Sequence, residues 1–545
     1  MKTQDYLFSQ HVNSAEDAFA TSFFKNDFLA LFPEIFLIMC TLFLLMYGVH
    51  YSTVENKVEN NLFRPILTEN VGYLSLLTLG CTFILLFNNP LNQREIFFGS
   101  LILDDFTLFF KGLLLLSCIF VVMISFDFLK KESLNAFEYH ILILLSTCSM
   151  LFMISSYDFL SLYLALEFQS LCFYVLAACK RNSEFSTEAG LKYFLLGAFS
   201  SGILLFGISL IYGFTGITNF EELTLLCASV DINHPAGILL GMLFIAVGLL
   251  FKLTAAPFHM WAPDVYEGAP TSVTAYFSVA PKIALLALFI RLFYYAGPFG
   301  ALGTGIENGS APLEQILVLC SIASMFIGAF SALSQQKIKR LFAYSSIGHI
   351  GYMFIGLIAA NREGLESVIV YLIIYIMMTL NVFALLLSLR AKSTSLISEN
   401  NENIIKNEST QLRYISDLSL LSKTNPMLAF TLTITLFSMA GIPPLAGFCG
   451  KFYVFFSALS SSFFILAFVG IFTSVISCFY YIRLIKIMYF EKESTTGYQP
   501  INSFEPIDKT KSIVLGITFF FTLFFLFYPA PLFLVAHKVA LSLLF

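Results

Sequence analysis

Charge is what this sequence has least of. Only 12% of its 545 residues are Asp, Glu, Lys or Arg, about half the usual share in a soluble domain. With 58% hydrophobic residues and a mean hydropathy of +0.81, that scarcity excludes a soluble globular fold. Metal- and thiol-based motifs are missing too. The ten cysteines include no C-x-x-C pair and no Cys-His cluster. Nearly all lie within apolar runs, where cysteine packs as a small hydrophobe, so no redox centre is expected in this chain. The net charge of −5 is spread out, which gives no reason to expect a nucleic-acid partner. The start of the chain lacks both the Arg-rich, acid-poor composition of a mitochondrial presequence and the early apolar core of a secretory signal. With Asp5, Glu16, Asp17 and Asp27, residues 1–28 read as a polar, solvent-exposed extension.

What is present is apolar length. Runs near 20 residues fall at about 29–49, 71–88, 106–126, 139–155, 159–178, 193–214, 236–262, 272–295, 313–333, 341–360, 366–389, 427–456, 463–489 and 513–535. Each is long enough to cross about 30 Å of hydrocarbon as a helix. Lipid offers the backbone no hydrogen bonds, so runs this long and apolar must be helical. The expected class is an all-α membrane protein of about fourteen spans. The segment at 390–425, containing SENNENIIKNEST, reads as an extramembrane loop.

The basic residues orient these spans. Twenty of the 30 Lys and Arg fall in the odd-numbered connections and six in the termini and even-numbered ones. Odd connections should therefore face the matrix or cytoplasm, with both termini on the opposite side. Pro257 interrupts the seventh span, and Gly441-Ile442-Pro443-Pro444 the twelfth. Proline removes a helical hydrogen bond and clashes with the preceding turn, so both helices should break. They are the fourth members of two five-span blocks, 139–295 and 313–489, whose first spans start on opposite sides. Three helices over 29–126 precede the blocks and one at 513–545 follows. Broken helices in matching positions of inverted repeats point to an ion pathway.

Four ionisable residues lie deep within spans: Glu167, Lys252, Lys282 and Lys451. Each costs about 2.5–3.5 kcal/mol at a bilayer centre, so each requires a partner, a wet cavity or a function. Lys111 and Arg291, near span ends, are expected to snorkel to the surface. Lysine suits proton transfer because burial disfavours its charged form and a nearby carboxylate restores it. His259 follows Lys252 by seven residues, which on an unbroken helix would share a face. It is weighed as a proton relay against a hydrogen-bonded packing histidine. His349, in the tenth span, is a weaker candidate for the same role. Asp264 and Glu267 match no helical metal-ligand spacing, so no metal site is expected. Trp261 is expected to anchor at the interface.

FKLTAAPFHMWAPDVYEGAPTSVTAYFSVAPK, KIKRLFAYSSIGHIGYM and AGIPPLAGFCGKFYVFF closely resemble the proton-pumping antiporter-like family. That family includes membrane-arm subunits of respiratory complex I and subunits of multisubunit cation/proton antiporters. LYLALEFQSLCFYVLAACKRNSEFSTEAGLKYFLLGAFSSGILLFG and the lysine at 451 are similar to the complex I members. The resemblance implies that Glu167 and Lys252 form an ion pair, that Lys282 is the central lysine and that Lys451 ends a buried polar axis. It implies membrane-arm neighbours of the subunit 4L and subunit 4 types, lipid contacts, and a place in the mitochondrial inner membrane with both termini in the intermembrane space. FMN, iron–sulfur clusters and ubiquinone would then belong to other subunits. The alternatives are a multisubunit antiporter component and a non-transporting scaffold. The N-terminal extension and the 398–410 loop depart from the family pattern.

Overall fold

A computed structural model describes residues 27–53, 65–89, 94–132, 134, 136–228, 235–295, 312–359, 361–391, 410–490 and 506–544. Most of the 1–28 extension and of the 398–410 loop lies outside the described residues.

All fourteen apolar runs have helical counterparts. The first three are α1 (Phe32–Thr53), α2 (Pro65–Phe87) and α3 (Asp105–Lys131). Next come α4 (Glu138–Ser155), α5 (Phe159–Ala177), α6 (Glu184–Thr215) and a short α7 (Phe220–Ala228). The seventh span is split into α8 (Pro235–Lys252) and α9 (Trp261–Gly268), and α10 (Thr271–Tyr295) follows. The second block runs through α11 (Pro312–Leu333), α12 (Ile338–Ile358) and α13 (Arg362–Ser388). After the single turn α14 (Leu421–Thr424), the twelfth span is split into α15 (Pro426–Ala440) and α16 (Ala446–Ser460). The chain continues through α17 (Phe464–Phe490), α18 (Lys509–Phe524) and α19 (Ala530–Leu544). Twelve of these helices are long and apolar enough to cross a membrane singly. The two spans absent from that group are the two broken ones.

Two expectations need correction. The last span does not run on to 535: a turn at Tyr528-Pro529 sends α19 back against α13 and α3. Nor is the 390–425 segment irregular loop throughout its described residues. Arg390–Ala391 pairs with Thr410–Gln411 as a small antiparallel ribbon, and Ile415, Leu418 and Leu421 after it are buried. These apolar residues, hidden in the sequence among polar neighbours, follow a stretch that bonds to the start of α12. The Ile338 amide donates to the Arg413 carbonyl at 3.1 Å and the Ile415 amide to the Gln336 carbonyl at 2.9 Å. A second ribbon, Arg94–Ile96 with Leu101–Leu103, precedes α3.

Burial sorts the helices. The apolar windows of α10 and α13 are wholly buried, whereas those of α6 and α17 are 39% buried. Helices apolar on all sides are buried or face lipid, and α6 shows the second case through exposed Phe185, Leu195, Phe199 and Phe206. Neighbouring helices approach closely at small residues, as lipid-embedded packing requires. A Cβ on Gly328 of α11 would lie 2.6 Å from the Gly348 nitrogen of α12. Serine and threonine hydroxyls remain inside helices by donating to carbonyls three or four residues back, as Ser278 does to Ala275 at 2.8 Å. The centre of the molecule is thus α10 against α13 and α12, and the polar residues gather there.

Candidate functional site: a buried polar axis

The first break begins where α8 stops. Thr254 turns left-handed at φ +66°, and the Ala255 and Thr254 amides bond back to the Leu250 and Phe251 carbonyls at 3.0 and 3.1 Å. This is a Schellman closure. The Trp261 indole also donates to the Phe251 carbonyl, at 2.9 Å. Trp261 is therefore not an interfacial anchor: it is 4% exposed and stacks on Tyr193 with ring centroids 4.5 Å apart. The Phe251 carbonyl thus accepts both the Thr254 amide and the indole.

Lys252, the last residue of α8, reaches a cavity of about 20 Å³ that it shares with Lys282, Gln169, Ser170 and Thr254. A polar space of that size holds about one water. Glu167, on α5, is half-buried. Its Oε1 is buried with no hydrogen-bond partner, and its Oε2 accepts from Ser170 at 3.5 Å. Its charge acts on Lys252, yet the two make no direct ion pair among the described residues. The implied ion pair is thus not a direct contact: Lys252 shares its cavity with Gln169 and Ser170 of α5, not with Glu167.

Lys282 sits one residue after Pro281, inside α10. Proline has no N–H to offer the Phe277 carbonyl, and the Tyr266 hydroxyl donates to it at 3.2 Å. The helix continues, loosened beside the lysine. Lys282 is 2% exposed; its Nζ donates to the Tyr375 hydroxyl at 2.7 Å and lies 4.9 Å from that ring's centroid. Tyr375, on α13, donates in turn to the Ser278 carbonyl at 3.3 Å. The His349 ring lies 5.4 Å from the Tyr375 ring. Its Nδ1 is 2.7 Å from the Tyr371 hydroxyl and its Nε2 3.3 Å from that of Tyr481. The Tyr481 hydroxyl also contacts Ser345 Oγ at 2.7 Å. A further cavity of about 10 Å³ lies between His349, Tyr352, Tyr481, Ser477 and Lys451.

Lys451 ends the series at the second break. Gly441 turns left-handed at φ +87°, and the Gly441 and Ile442 amides bond to the Ser438 and Phe437 carbonyls at 3.1 Å. Two last carbonyls of α15 remain, those of Met439 and Ala440, and Lys451 Nζ donates to both at 3.0 Å. A cation at the negative end of a half-helix is favoured by the helix dipole. The positive φ favours glycine here, and any side chain at 441 would put its Cβ 3.0 Å from Lys451 Cδ, so the lysine would have to give way.

Not every candidate joins the axis. His259 lies in the turn between α8 and α9 and lines none of these cavities; the break removes the shared face that seven-residue spacing offered. Asp264 and Glu267 are taken up by cations. Arg340 lies 2.7 Å from Asp264 and 3.3 Å from Glu267, Lys192 lies 3.1 Å from Asp264, and Lys337 pairs with Glu267.

Lys111 and Arg291 do not snorkel. Lys111 pairs with Glu34 of α1 at 2.6 Å, both 1% exposed, and Arg291 with Asp104 at 2.8 Å. Burial pushes the Asp104 carboxyl up, with the Arg291 guanidinium opposing. Sequence reading missed these partners and the three tyrosines, because nothing in a single span signals a partner on another.

Residues 156–477 match the family of NADH:quinone oxidoreductase/Mrp antiporter transmembrane proteins. The chain is 53% identical to NADH-ubiquinone oxidoreductase chain 2 of Marchantia polymorpha, over 95% of this chain and 99% of that one. It is 42% identical to NADH-quinone oxidoreductase subunit N of Paramagnetospirillum magneticum, over 95% and 98%. A chain of respiratory complex I from Thermus thermophilus superposes with a TM-score of 0.71 and 26% identity, covering 93% of this chain and 99% of that one. The chain belongs to this antiporter-like family.

Proposed function

We propose that this chain is a proton-translocating membrane-arm subunit of respiratory complex I in the mitochondrial inner membrane. Protons, or the charge shifts that drive them, pass along Glu167, Lys252, Lys282, His349 and Lys451, with Tyr375 joining the two halves. The observation that carries this reading is the link from Lys282 through Tyr375 toward His349, which spans the two blocks without a cofactor. A buried lysine hydrogen-bonded to a neutral hydroxyl has no fixed counter-charge, so its protonation answers to charges farther along the row. Glu167 is the entry to that row. It lies on α5 beside Leu160, Leu164, Phe168 and Leu171, all exposed, where a neighbour of the subunit 4L type would pack and set its charge. A subunit 4 type neighbour lies at the other end, FMN, iron–sulfur clusters and ubiquinone are held elsewhere in the complex, and both termini face the intermembrane space. His259 acts as a side branch at the first break.

The test is at Lys282. Lys282→Met should cut quinone-coupled proton uptake about tenfold or more, equivalent to about 1.4 kcal/mol, at normal assembly on native gels. Lys282→Arg should fail equally, because guanidinium does not release its proton. Normal pumping by an assembled Lys282→Arg complex would replace the carrier role with a fixed electrostatic one. The multisubunit antiporter reading is supported by the shared family match and, for the fold alone, by a chain of the Dietzia Mrp complex at a TM-score of 0.75 and 19% identity. Purification with flavin and iron–sulfur partners separates the two.

A further inference from the structure

Away from the axis, five connections meet on the face that carries most of the basic residues. They enclose a pocket of about 180 Å³, far larger than the axis cavities. Six charged residues line it: Lys180, Lys337, Lys339, Arg413, Glu132 and Glu267. The two carboxylates are already engaged. Glu132 pairs with Lys180 at 2.6 Å and with Arg390 at 3.3 Å, and Glu267 pairs with Lys337 and Arg340. Among the described residues, two lining cations remain without a carboxylate partner. Lys339 Nζ donates to the Ala269 carbonyl at 2.8 Å, and Arg413 is exposed.

The rest of the lining is mostly apolar, with Ser183 the polar exception. Phe128 and Leu412 are buried at its back, and Phe185 (61% exposed) and Tyr414 (41% exposed) stand at its edge. Phe185 opens the lipid-facing stripe of α6, so the pocket is continuous with the surface that meets acyl chains. Surplus cations at helix ends, with an apolar edge toward the bilayer, are the chemistry that holds an anionic headgroup. A guanidinium and an ammonium lining one pocket suit a phosphate ester.

We propose that this pocket binds the phosphate ester of an anionic phospholipid, through Lys339 and Arg413, with the acyl chains leaving along Phe185. The site is separate from the proton axis and does not depend on it. No residue of the axis lines it.

The test uses the intact complex carrying Tyr414→Cys, in nanodiscs of phosphatidylcholine with or without phosphatidylglycerol. Maleimide labelling of the added thiol is located by mass spectrometry. Phosphatidylglycerol should slow labelling severalfold, and inorganic phosphate should not. Arg413→Gln, at an exposed position that leaves folding intact, should weaken that protection roughly fivefold, and adding Lys339→Gln should weaken it again by a similar factor. Protection by inorganic phosphate equal to that by the lipid would overturn the lipid source and assign the site to a soluble phosphate compound. Equal labelling under all three conditions, or unchanged protection in Arg413→Gln, would overturn the site itself.

Discussion

The two broken helices use the same backbone device and hold their lysines in opposite ways. Both half-helices close with a Schellman pair around one left-handed residue, Thr254 in the first and Gly441 in the second. In the second, Lys451 lies beyond the break and covers the two carbonyls that the closure leaves. In the first, Lys252 is itself the last residue of the half-helix and donates to no protein group among the described residues. One lysine is clamped at a helix terminus, while the other stands in a cavity with room for about one water. A repeated fold element therefore does not repeat its chemistry. Which side of the break carries the lysine decides whether it caps a helix or faces a partner across space.

The largest effect that would sharpen this contrast is at the lysines. Lys451→Met and Lys252→Met should each lower proton uptake by about tenfold. Only Lys451→Met should also destabilise the membrane domain, by about 1–3 kcal/mol, because it orphans two buried carbonyls. Thermal unfolding of the assembled subcomplex checks this; equal stability of the two variants would dissolve the comparison. Next is Glu167→Gln, which removes the charge acting on Lys252. It should reduce coupled turnover several-fold at normal assembly, with Glu167→Asp milder because it keeps the charge. A wild-type proton-to-electron ratio in Glu167→Gln would remove this residue from the pathway.

Tyr375→Phe tests the bridge between the blocks. It deletes the hydroxyl between Lys282 and the Ser278 carbonyl and leaves the ring in place. Loss of a hydrogen bond to a charged group is worth about 1.5–3 kcal/mol, so proton transfer should slow about tenfold while NADH-to-artificial-acceptor activity is unchanged. The smallest effects lie in the backbone. Thr254→Gly should raise stability slightly, by up to about 1 kcal/mol, because glycine accepts φ +66° without a steric penalty. Gly441→Ala should lower it by about 1–2 kcal/mol and weaken pumping, since the new Cβ meets Lys451. Chemical denaturation of purified variants measures both, and a neutral Gly441→Ala would mean that the break relaxes around the clamp.

Much of this site was legible in advance because its cost is local. Lys252, Lys282, Lys451 and Glu167 stand out as charges in apolar runs, and the breaks at Pro257 and Pro443-Pro444 stand out as prolines in helices. The tyrosines do not stand out: in a chain with 25 of them, Tyr371 and Tyr375 look like ordinary apolar-run aromatics. Lys111 and Arg291 were misjudged for a related reason. Distance from a span end measures whether a side chain can reach water, but Glu34 and Asp104, supplied by other segments, made reaching water unnecessary.

By itself the sequence determined the class, the number of spans, the places where helices break and the charges that must be accounted for. Each of these follows from the free energy of a residue in hydrocarbon, which depends on that residue and its near neighbours. Only the tertiary structure decided which hydroxyl meets Lys282, which carbonyls Lys451 caps, and that Trp261 folds inward. Those outcomes depend on residues such as 282 and 375, which are far apart in the chain and brought together by the packing of α10 against α13.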